Sequence, residues 1–231
     1  MSPSPFSGVP IELPSEFEAQ VDNFLGLMES WRNRVNLVSR NLTRTALLQH
    51  AMSSLAVLDP EVPAAGPPAG PDGLRLLDIG SGGGFPALIL LMARPAWNGV
   101  LVEATGKKCF FLREAAGRFA PRRVTVLHQR YEEPGEERGP DAEAAAGPFD
   151  LVTLRAMRPE PKLVARMRGR LATNLAPGGR VAWYTPQHQA GGALALEALS
   201  LIGLEDIRLL RIEWAGATLA IGRIPGVSRE T

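Results

Sequence analysis

The chain begins with apolar residues at helical spacing. Between positions 15 and 30 they recur every three or four residues, at Phe17, Val21, Phe24, Leu25 and Met28. This pattern predicts an amphipathic helix with Ser15 as its N-cap, and a second helix is predicted over residues 42–58. Prolines at positions 60, 63, 67, 68 and 71 then prevent a continuous helix or a paired strand. We expect an N-terminal helical cap over residues 1–59 and a linker rich in proline and glycine over residues 60–73.

From residue 74 onwards, short apolar runs alternate with segments of helical periodicity. The runs predict strands at 74–79, 99–102, 124–127, 151–153 and 181–184. The other segments predict helices at 86–93, 107–119, 160–174 and 193–201. Two final apolar runs, 207–214 and 217–224, flank Ala215 and Gly216 and predict a β-hairpin. Residues 74–231 are therefore expected to form a doubly wound α/β domain whose mainly parallel sheet ends in an antiparallel hairpin.

Composition indicates the cellular compartment in which the protein works. The single cysteine, Cys109, suits a reducing compartment. The N-terminus lacks the pattern of a secretory signal, and the longest apolar run, 87–93, is too short to cross a bilayer. We therefore expect a cytoplasmic protein without membrane contact. Residues 132–148 are acidic and rich in glycine, proline and alanine, and they predict a surface loop.

The charge of the chain says little about which partners the protein binds. The chain has 25 basic and 24 acidic residues and a net charge of +1, so the overall charge does not favour nucleic-acid binding. Four arginines nevertheless cluster near the N-terminus, at positions 32, 34, 40 and 44. Such a cluster most often forms a solvated face, and RNA contact is the alternative.

The most informative segment is the glycine-rich run over residues 78–86, D-I-G-S-G-G-G-F-P. Gly80, Gly82 and Gly84 let the backbone turn sharply and approach a ligand, and the helix that follows offers free N–H groups to an anion. A glycine turn alone is a weak indication. Asp78, two residues before the first glycine, is more specific, because nicotinamide sites usually have an apolar residue there. An acid at that position suits the ammonium group of S-adenosylmethionine.

A second acid lies at the spacing expected for a nucleoside site. Glu103 ends the second predicted strand, 19 residues after Gly84. An acid at this place accepts hydrogen bonds from ribose hydroxyls, although a strand-end acid that faces water is the alternative. No metal site is predicted, because one cysteine and three scattered histidines (His50, His128 and His188) offer no ligand spacing. The loop, Glu103 and the hairpin predict a class I S-adenosylmethionine-dependent methyltransferase with a Rossmann-like sheet.

Several short motifs resemble, in the same order, those of the bacterial 16S rRNA guanine-N7 methyltransferase family RsmG, also called GidB. Residues 31–39 resemble W-N-x-x-x-N-L-T-S, and His50 with Ser54 resembles H-x-x-D-S. The glycine run resembles D-x-G-S/T-G-x-G-L/F-P. Three further pieces are similar to family segments: 102–108, 130–133, and 149–150 with 155–156. The resemblance extends from about residue 31 to residue 179.

The resemblance implies a set of site residues. Gly80 and Phe85 would line the cofactor pocket, Tyr131 and Glu132 would lie along the adenine, and Arg155 would border the methyl-transfer end. Arg155 would then be the catalytic residue that orients substrate or cofactor. Expected RNA contacts come from the cap: Arg32, Arg34, Arg40 and His50. Trp31 is expected to anchor the cap in the core.

The resemblance also implies a reaction and a partner. The substrate would be N7 of a guanine at position 527, in the 530 loop of 16S rRNA, within the small ribosomal subunit or its assembly intermediate. Guanine N7 carries a free lone pair, so its methylation needs orientation rather than a general base. The enzyme is expected to be a monomer.

Some positions depart from the family motifs, mostly on the presumed substrate side. Ser53 replaces the acid of H-x-x-D-S, Val38 replaces a threonine, and Leu154 replaces a serine. Ala87 stands where the family has glycine, and the Lys-Gly that usually follows the fifth strand is absent from W-Y-T-P at 183–186. Three alternatives therefore stay open: a methyltransferase acting on another RNA, protein or small molecule; a nicotinamide-dependent dehydrogenase; and a non-catalytic ribosome-binding protein.

Overall fold

The computed structural model describes residues 4–39, 42–63, 73–132, 147–185 and 189–225. Most of the predicted linker, most of the predicted acidic loop, Arg40 and His188 lie outside these ranges. The helices are α1 (Phe17–Trp31), α2 (Arg44–Ser54), α3 (Ala87–Ala93), α4 (Gly106–Phe119), α5 (Pro161–Asn174) and α6 (Gln189–Ile202), and a 3-10 turn (Leu55–Leu58) extends α2. The strands are β1 (Arg75–Ile79), β2 (Asn98–Glu103), β3 (Val124–His128), β4 (Phe149–Arg155), β5 (Leu175–Thr185), β6 (Glu205–Ile212) and β7 (Ala217–Arg223).

All of these strands belong to one sheet, in the order β3-β2-β1-β4-β5-β7-β6. Strands β1 to β5 pair in parallel, whereas β7 runs antiparallel to both of its neighbours, β5 and β6. The predicted mainly parallel sheet with a terminal hairpin is confirmed. The strand order reverses at β1, which has β2 on one side and β4 on the other. Open α/β sheets bind ligands beyond the carboxyl ends of the strands at such a point.

Alternating side chains give the sheet two apolar faces. Leu76 of β1 and Leu101 of β2 join the core formed with α1 to α4, and their neighbours Leu77 and Val100 join the core formed with α5 and α6. This alternation follows from the period of two in a strand, and it produces a three-layer arrangement. No helix among the described residues is long and apolar enough to cross a membrane.

The N-terminal helices share a core with the sheet. Phe24 of α1 is fully buried, and its ring lies 5.6 Å from the Phe85 ring and 5.8 Å from the Phe119 ring. Trp31 is partly buried, packs at 5.8 Å from the Phe111 ring and donates its Nε1–H to Glu114 at 3.0 Å. The division of the chain into cap, linker and methyltransferase domain stays a prediction.

The helix starts differ from the predicted ones for local reasons. The prediction of Ser15 as N-cap is wrong: Glu16 holds that position in helical geometry, and the Ser15 hydroxyl bonds to the Glu16 carboxylate. Helix α2 begins at Arg44 because the Thr43 hydroxyl accepts a hydrogen bond from the Ala46 N–H at 3.2 Å.

Candidate cofactor and acceptor site

The glycine loop turns back onto the end of β2. Gly80, Gly82 and Gly84 have φ values of +75°, +55° and +88°, which glycine adopts without a steric penalty. The Gly80 and Ser81 N–H groups both donate to the Val102 carbonyl, at 2.8 and 3.1 Å. The loop therefore lies against the carboxyl ends of β1 and β2, as the sequence predicts.

Glu103 holds this loop in place. Its buried carboxylate accepts the Gly82 N–H at 2.9 Å through Oε2 and the Thr105 N–H at 2.7 Å through Oε1. Each carboxylate oxygen can accept a second hydrogen bond, so these contacts leave acceptor capacity for a ligand hydroxyl. One residue thus connects the glycine loop to the start of α4.

Asp78 is a buried carboxyl group with one unsatisfied oxygen. Its Oδ1 accepts the Thr153 hydroxyl at 2.6 Å, whereas Oδ2 has no hydrogen-bond partner among the described residues. Burial raises the pKa of Asp78 to about 7, against the opposing influence of Thr153 and the Arg155 charge. A buried acceptor without a partner is costly, and an ammonium group is a donor that would satisfy it. The site therefore fits the amino acid part of S-adenosylmethionine.

Arg155, at the end of β4, is attached to helix α2. Its Nη2 contacts His50 Nδ1 at 2.7 Å and donates to the Ser53 hydroxyl at 2.8 Å. Its Nη1 donates to the His50 carbonyl and the Ser54 hydroxyl, both at 3.2 Å, and the guanidinium lies 5.6 Å from the Tyr184 ring centroid. Ser53, which replaces the acid of the family motif, therefore contacts Arg155 as a neutral partner.

His50 is part of this connection. Burial, followed by the nearby Arg155 charge, lowers the pKa of His50, so the neutral imidazole accepts from Arg155. The other side of the ring lies near Phe85, at 5.8 Å between centroids. Phe85 itself is buried between His50 and Phe24. Arg155, expected at the methyl-transfer end, and His50, expected among the cap residues, are therefore in direct contact.

Tyr131 and Glu132, the two residues expected along the adenine, are mostly buried. The Tyr131 ring is 3% exposed and lies beneath Arg170 of α5, whose guanidinium is 4.8 Å from the ring centroid. Arg170 also donates to the Tyr131 carbonyl. Glu132 is mostly buried and lies 3.8 Å from Arg130. The ring of Tyr131 thus belongs to the core, and its backbone lies at the chain segment that follows β3.

The arginine cluster of the cap is largely engaged. Arg44 forms ion pairs with Asp22 at 2.5 Å and Glu29 at 3.3 Å, and Arg32 donates to the Leu42 carbonyl. Arg34 is exposed. Of the expected RNA contacts, Arg34 is therefore the residue whose side chain is presented to solvent within the described part of the cap.

Two cavities flank the carboxyl ends of β4 and β5. One, of about 290 Å³, is lined by His50, Ser53, Arg155 and Thr218 among others. The larger, of about 630 Å³, lies between the segment after β4, the end of β5 and α6. Its lining includes apolar and charged side chains, namely Met157, Arg158, Glu160, Trp183 and Leu194.

The segment after β4, beside the larger cavity, has an unusual backbone conformation and a hydrogen bond to Trp183. Ala156 has a φ of +56°, which is unusual for a residue with a Cβ and often marks a functional site. Trp183 donates its indole N–H to the Met157 carbonyl at 3.2 Å. A Cβ on Gly80 would lie 3.1 Å from Met157 Cε, so Met157 adjoins the cofactor loop. Sequence reasoning missed this cavity, although the position of Arg155 at a strand end indicates the right edge of the sheet.

No group of three potential metal-ligating side chains occurs within the ranges that the structure describes. The doubly wound sheet, the antiparallel β7 and the glycine loop with its preceding acid define a class I methyltransferase. Among these proteins, the chain belongs to the GidB family, rRNA small subunit methyltransferase G, whose profile matches residues 18–197. The suspected resemblance is confirmed, and the match includes both the cap helices and the glycine loop.

Relatives with the same description cover most of the chain. The Ribosomal RNA small subunit methyltransferase G of Leptothrix cholodnii is 31% identical over 190 residues, which are 82% of this chain and 76% of that protein. The protein of the same name from Myxococcus xanthus is 30% identical over 211 residues, covering 90% of this chain and 87% of that protein.

Solved structures are similar in fold at low sequence identity. The S-adenosylmethionine-dependent methyltransferase SibL, in its apo form, superposes with a TM-score of 0.58 at 15% identity, covering 89% of this chain and 70% of that chain. PigF with SAH superposes with a TM-score of 0.54 at 16% identity, covering 90% and 69%. These likenesses confirm the class I methyltransferase fold.

Proposed function

We propose that this protein transfers a methyl group from S-adenosylmethionine to N7 of a guanine in 16S rRNA, at position 527 in the 530 loop. The observation that carries the proposal is the family match over residues 18–197, which runs from the cap through the cofactor loop. Relatives named Ribosomal RNA small subunit methyltransferase G support the small ribosomal subunit as the partner. The choice of N7 and of the 530 loop rests on the resemblance to the RsmG family.

The residues that would hold S-adenosylmethionine surround the glycine loop. Asp78 Oδ2 would accept from the ammonium group, and Glu103 would accept from the ribose hydroxyls. Gly80, Gly82 and Gly84 allow the close approach, Phe85 adjoins the pocket, and the backbone around Tyr131 and Glu132 would flank the adenine. When bound, the cofactor supplies an electrophilic methyl group.

The chain's own contribution to the chemistry is orientation. Guanine N7 needs no deprotonation, and effective alignment of two reactants can supply much of the rate acceleration. Arg155 fixes the carboxyl end of β4 to α2 through His50, Ser53 and Ser54. We therefore assign Arg155 the task of positioning the acceptor side of the site, and we assign RNA contact to the exposed Arg34.

The proposal also includes the compartment of the enzyme, its oligomeric state and the form of its substrate. A ribosomal RNA substrate supports a cytoplasmic location, and we propose that the enzyme acts as a monomer on the small subunit or an assembly intermediate. Free subunits and intermediates would be distinguished by comparing transfer rates to purified particles of each kind.

The test is methyl transfer from labelled S-adenosylmethionine to small subunits from cells that lack their own N7 enzyme. The product is mapped by chemical cleavage at N7-methylguanine. We expect one modified guanine, in the 530 loop. Modification elsewhere, or of a protein, would support a methyltransferase with another acceptor. Binding to subunits without binding of S-adenosylmethionine would support the non-catalytic alternative.

A further inference from the structure

The 630 Å³ cavity beside β4 has the size and position of a binding site for the acceptor base. Ligand pockets typically enclose about 300–1,000 Å³ and combine apolar walls with a few polar groups. Here the apolar walls come from Met157, Pro159, Trp183 and Leu194, and the cavity opens at the carboxyl edge of the sheet. Met157 adjoins Gly80, so the cavity is next to the cofactor loop.

One carboxylate lines this cavity. Glu160 is exposed, precedes α5, and makes no side-chain hydrogen bond or ion pair with the described residues. Its backbone is fixed, because its N–H donates to the Arg158 carbonyl at 2.9 Å and its carbonyl accepts the Val164 N–H at 3.0 Å. Glu160 therefore offers an acceptor-only group on a defined segment of backbone.

The chemistry of guanine matches such an acceptor. Guanine presents two adjacent donors on its Watson–Crick edge, N1–H and the N2 amino group, whereas adenine presents an acceptor at N1. Enzymes that modify a base commonly extrude it from its stack and recognise this edge by hydrogen bonds. A carboxylate bound there leaves N7 free, because N7 lies on the opposite edge of the purine.

We infer that the cavity receives the acceptor guanine and that Glu160 selects it by accepting hydrogen bonds from N1–H and the N2 amino group. This inference rests on the proposed function and names a specificity residue for it. Met157, Pro159 and Leu194 form the apolar walls beside the base, and the buried Trp183 supports them through its hydrogen bond to the Met157 carbonyl. Arg158, on the same segment, is exposed at the cavity and provides a cation for the adjacent RNA phosphate.

The test compares two substrates and three proteins. Small subunits are reconstituted with guanosine or inosine at the target position, because inosine keeps N1–H and N7 and lacks the N2 amino group. Wild type, Glu160→Ala and Glu61→Ala are assayed for methyl transfer from labelled S-adenosylmethionine. Glu61 is an exposed glutamate in the segment after the 3-10 turn, so Glu61→Ala is the matched control.

We expect wild type and Glu61→Ala to prefer guanosine by about tenfold or more in kcat/KM, the effect of one hydrogen bond to a charged group. Glu160→Ala should lose at least about tenfold on guanosine, and its preference for guanosine should fall to within about threefold. Its affinity for S-adenosylmethionine, measured by calorimetry, should equal that of wild type. A merely structural role would lower both rates and leave the preference unchanged.

The two ways of failing are distinguishable. Transfer by wild type with the same base preference in Glu160→Ala overturns the role of Glu160 alone. No transfer by wild type to the guanosine particle overturns the proposed function and this inference together.

Discussion

Among single residues, Asp78 shows most clearly how the site is prepared for a charged ligand. An ionised carboxylate in an apolar interior is unfavourable unless it is paired. Thr153 satisfies one oxygen and leaves the other without a partner among the described residues. With a pKa of about 7, the group lies at the boundary between its neutral and ionised forms near neutral pH. A cationic ligand would shift that balance towards the ionised form.

This balance predicts a pH-dependent affinity for S-adenosylmethionine. Affinity should fall by up to about tenfold for each pH unit below 7, because the ligand's ammonium group binds the ionised form of Asp78. Asp78→Asn should bind more weakly at pH 8 and show a flatter profile between pH 5.5 and 8. Calorimetric titrations of both proteins across that range provide the measurement. Parallel profiles would separate Asp78 from cofactor binding.

Stability should change with pH in the opposite sense. The folded-state pKa of Asp78 lies above the ordinary value of 3.8, so its contribution to stability is complete below about pH 4 and is lost as the pH rises through about 7. The free energy of unfolding of Asp78→Asn, relative to wild type without ligand, should therefore increase between pH 4 and 8. Urea titrations at several pH values are the control for the binding profiles.

At the scale of elements, apolar periodicity predicted the order and type of the strands and helices of the α/β domain. Strand bounds were less predictable. The prediction for β5 covered residues 181–184, but the strand is Leu175–Thr185. Its first half contains Pro177, Gly178 and Gly179, which are typical of turns, and they lie in a register shift: Leu175 pairs with Phe149 of β4, and the pairing resumes at Arg180 with Leu151. The local preference for a turn is therefore kept as an irregularity within the strand, with Gly178 at a φ of +79°, and pairing on both sides makes the strand longer than its apolar run.

The site residues also divide into those that the sequence could predict and those that it could not. Asp78, Glu103 and the three glycines were predictable because strand, loop and acid lie within one contiguous βαβ unit. The contacts of Arg155 with His50 and Ser53 join residues 105 and 102 positions apart, and no local pattern encodes them. The cavity around Glu160 likewise requires α6 and β5 to approach the segment after β4. The burial of the Tyr131 ring beneath Arg170 is another such long-range contact.

The link between β4 and α2 yields a prediction at this scale. Arg155→Ala removes four hydrogen bonds and leaves His50 Nδ1 without its partner, whereas the Ser53 and Ser54 hydroxyls keep their bonds to the His50 carbonyl. We expect a loss of about 2–4 kcal/mol in the free energy of unfolding. Turnover on small subunits should fall at least about tenfold. Urea denaturation and the methyl-transfer assay measure the two effects.

Two variants make this prediction specific. Ser53→Asp restores the acid of the family motif and gives Arg155 a charged partner, so we expect wild-type turnover. Arg211→Ala removes an exposed arginine of β6 that pairs with Glu213 at 2.8 Å, and it should change stability by less than about 0.5 kcal/mol. Full turnover in Arg155→Ala would remove the proposed positioning role.

At the scale of the whole molecule, the two faces of the sheet support different parts of the structure. The face covered by α5 and α6 supports the acceptor cavity, and the other face carries α1 to α4 in one continuous core. Phe24 of α1 contacts rings that precede α3 and end α4, so the N-terminal helices are part of the core beneath the cofactor loop. With a net charge of only +1, affinity for RNA has to come from local groups such as Arg34 and Arg158 rather than from the overall field.

A shared core predicts that cap and sheet unfold together. Calorimetry of the full chain should show one transition, and S-adenosylmethionine at 100 times its Kd should raise stability by about 2.7 kcal/mol. For a protein of this size, that stabilisation corresponds to a rise in Tm of about 5–10 °C. Asp78→Asn at the same cofactor concentration should show a smaller rise. Two transitions, of which only the upper one responds to the cofactor, would instead show that α1 and α2 unfold as an independent unit, and the Arg155 link could not then couple the cap to the cofactor site.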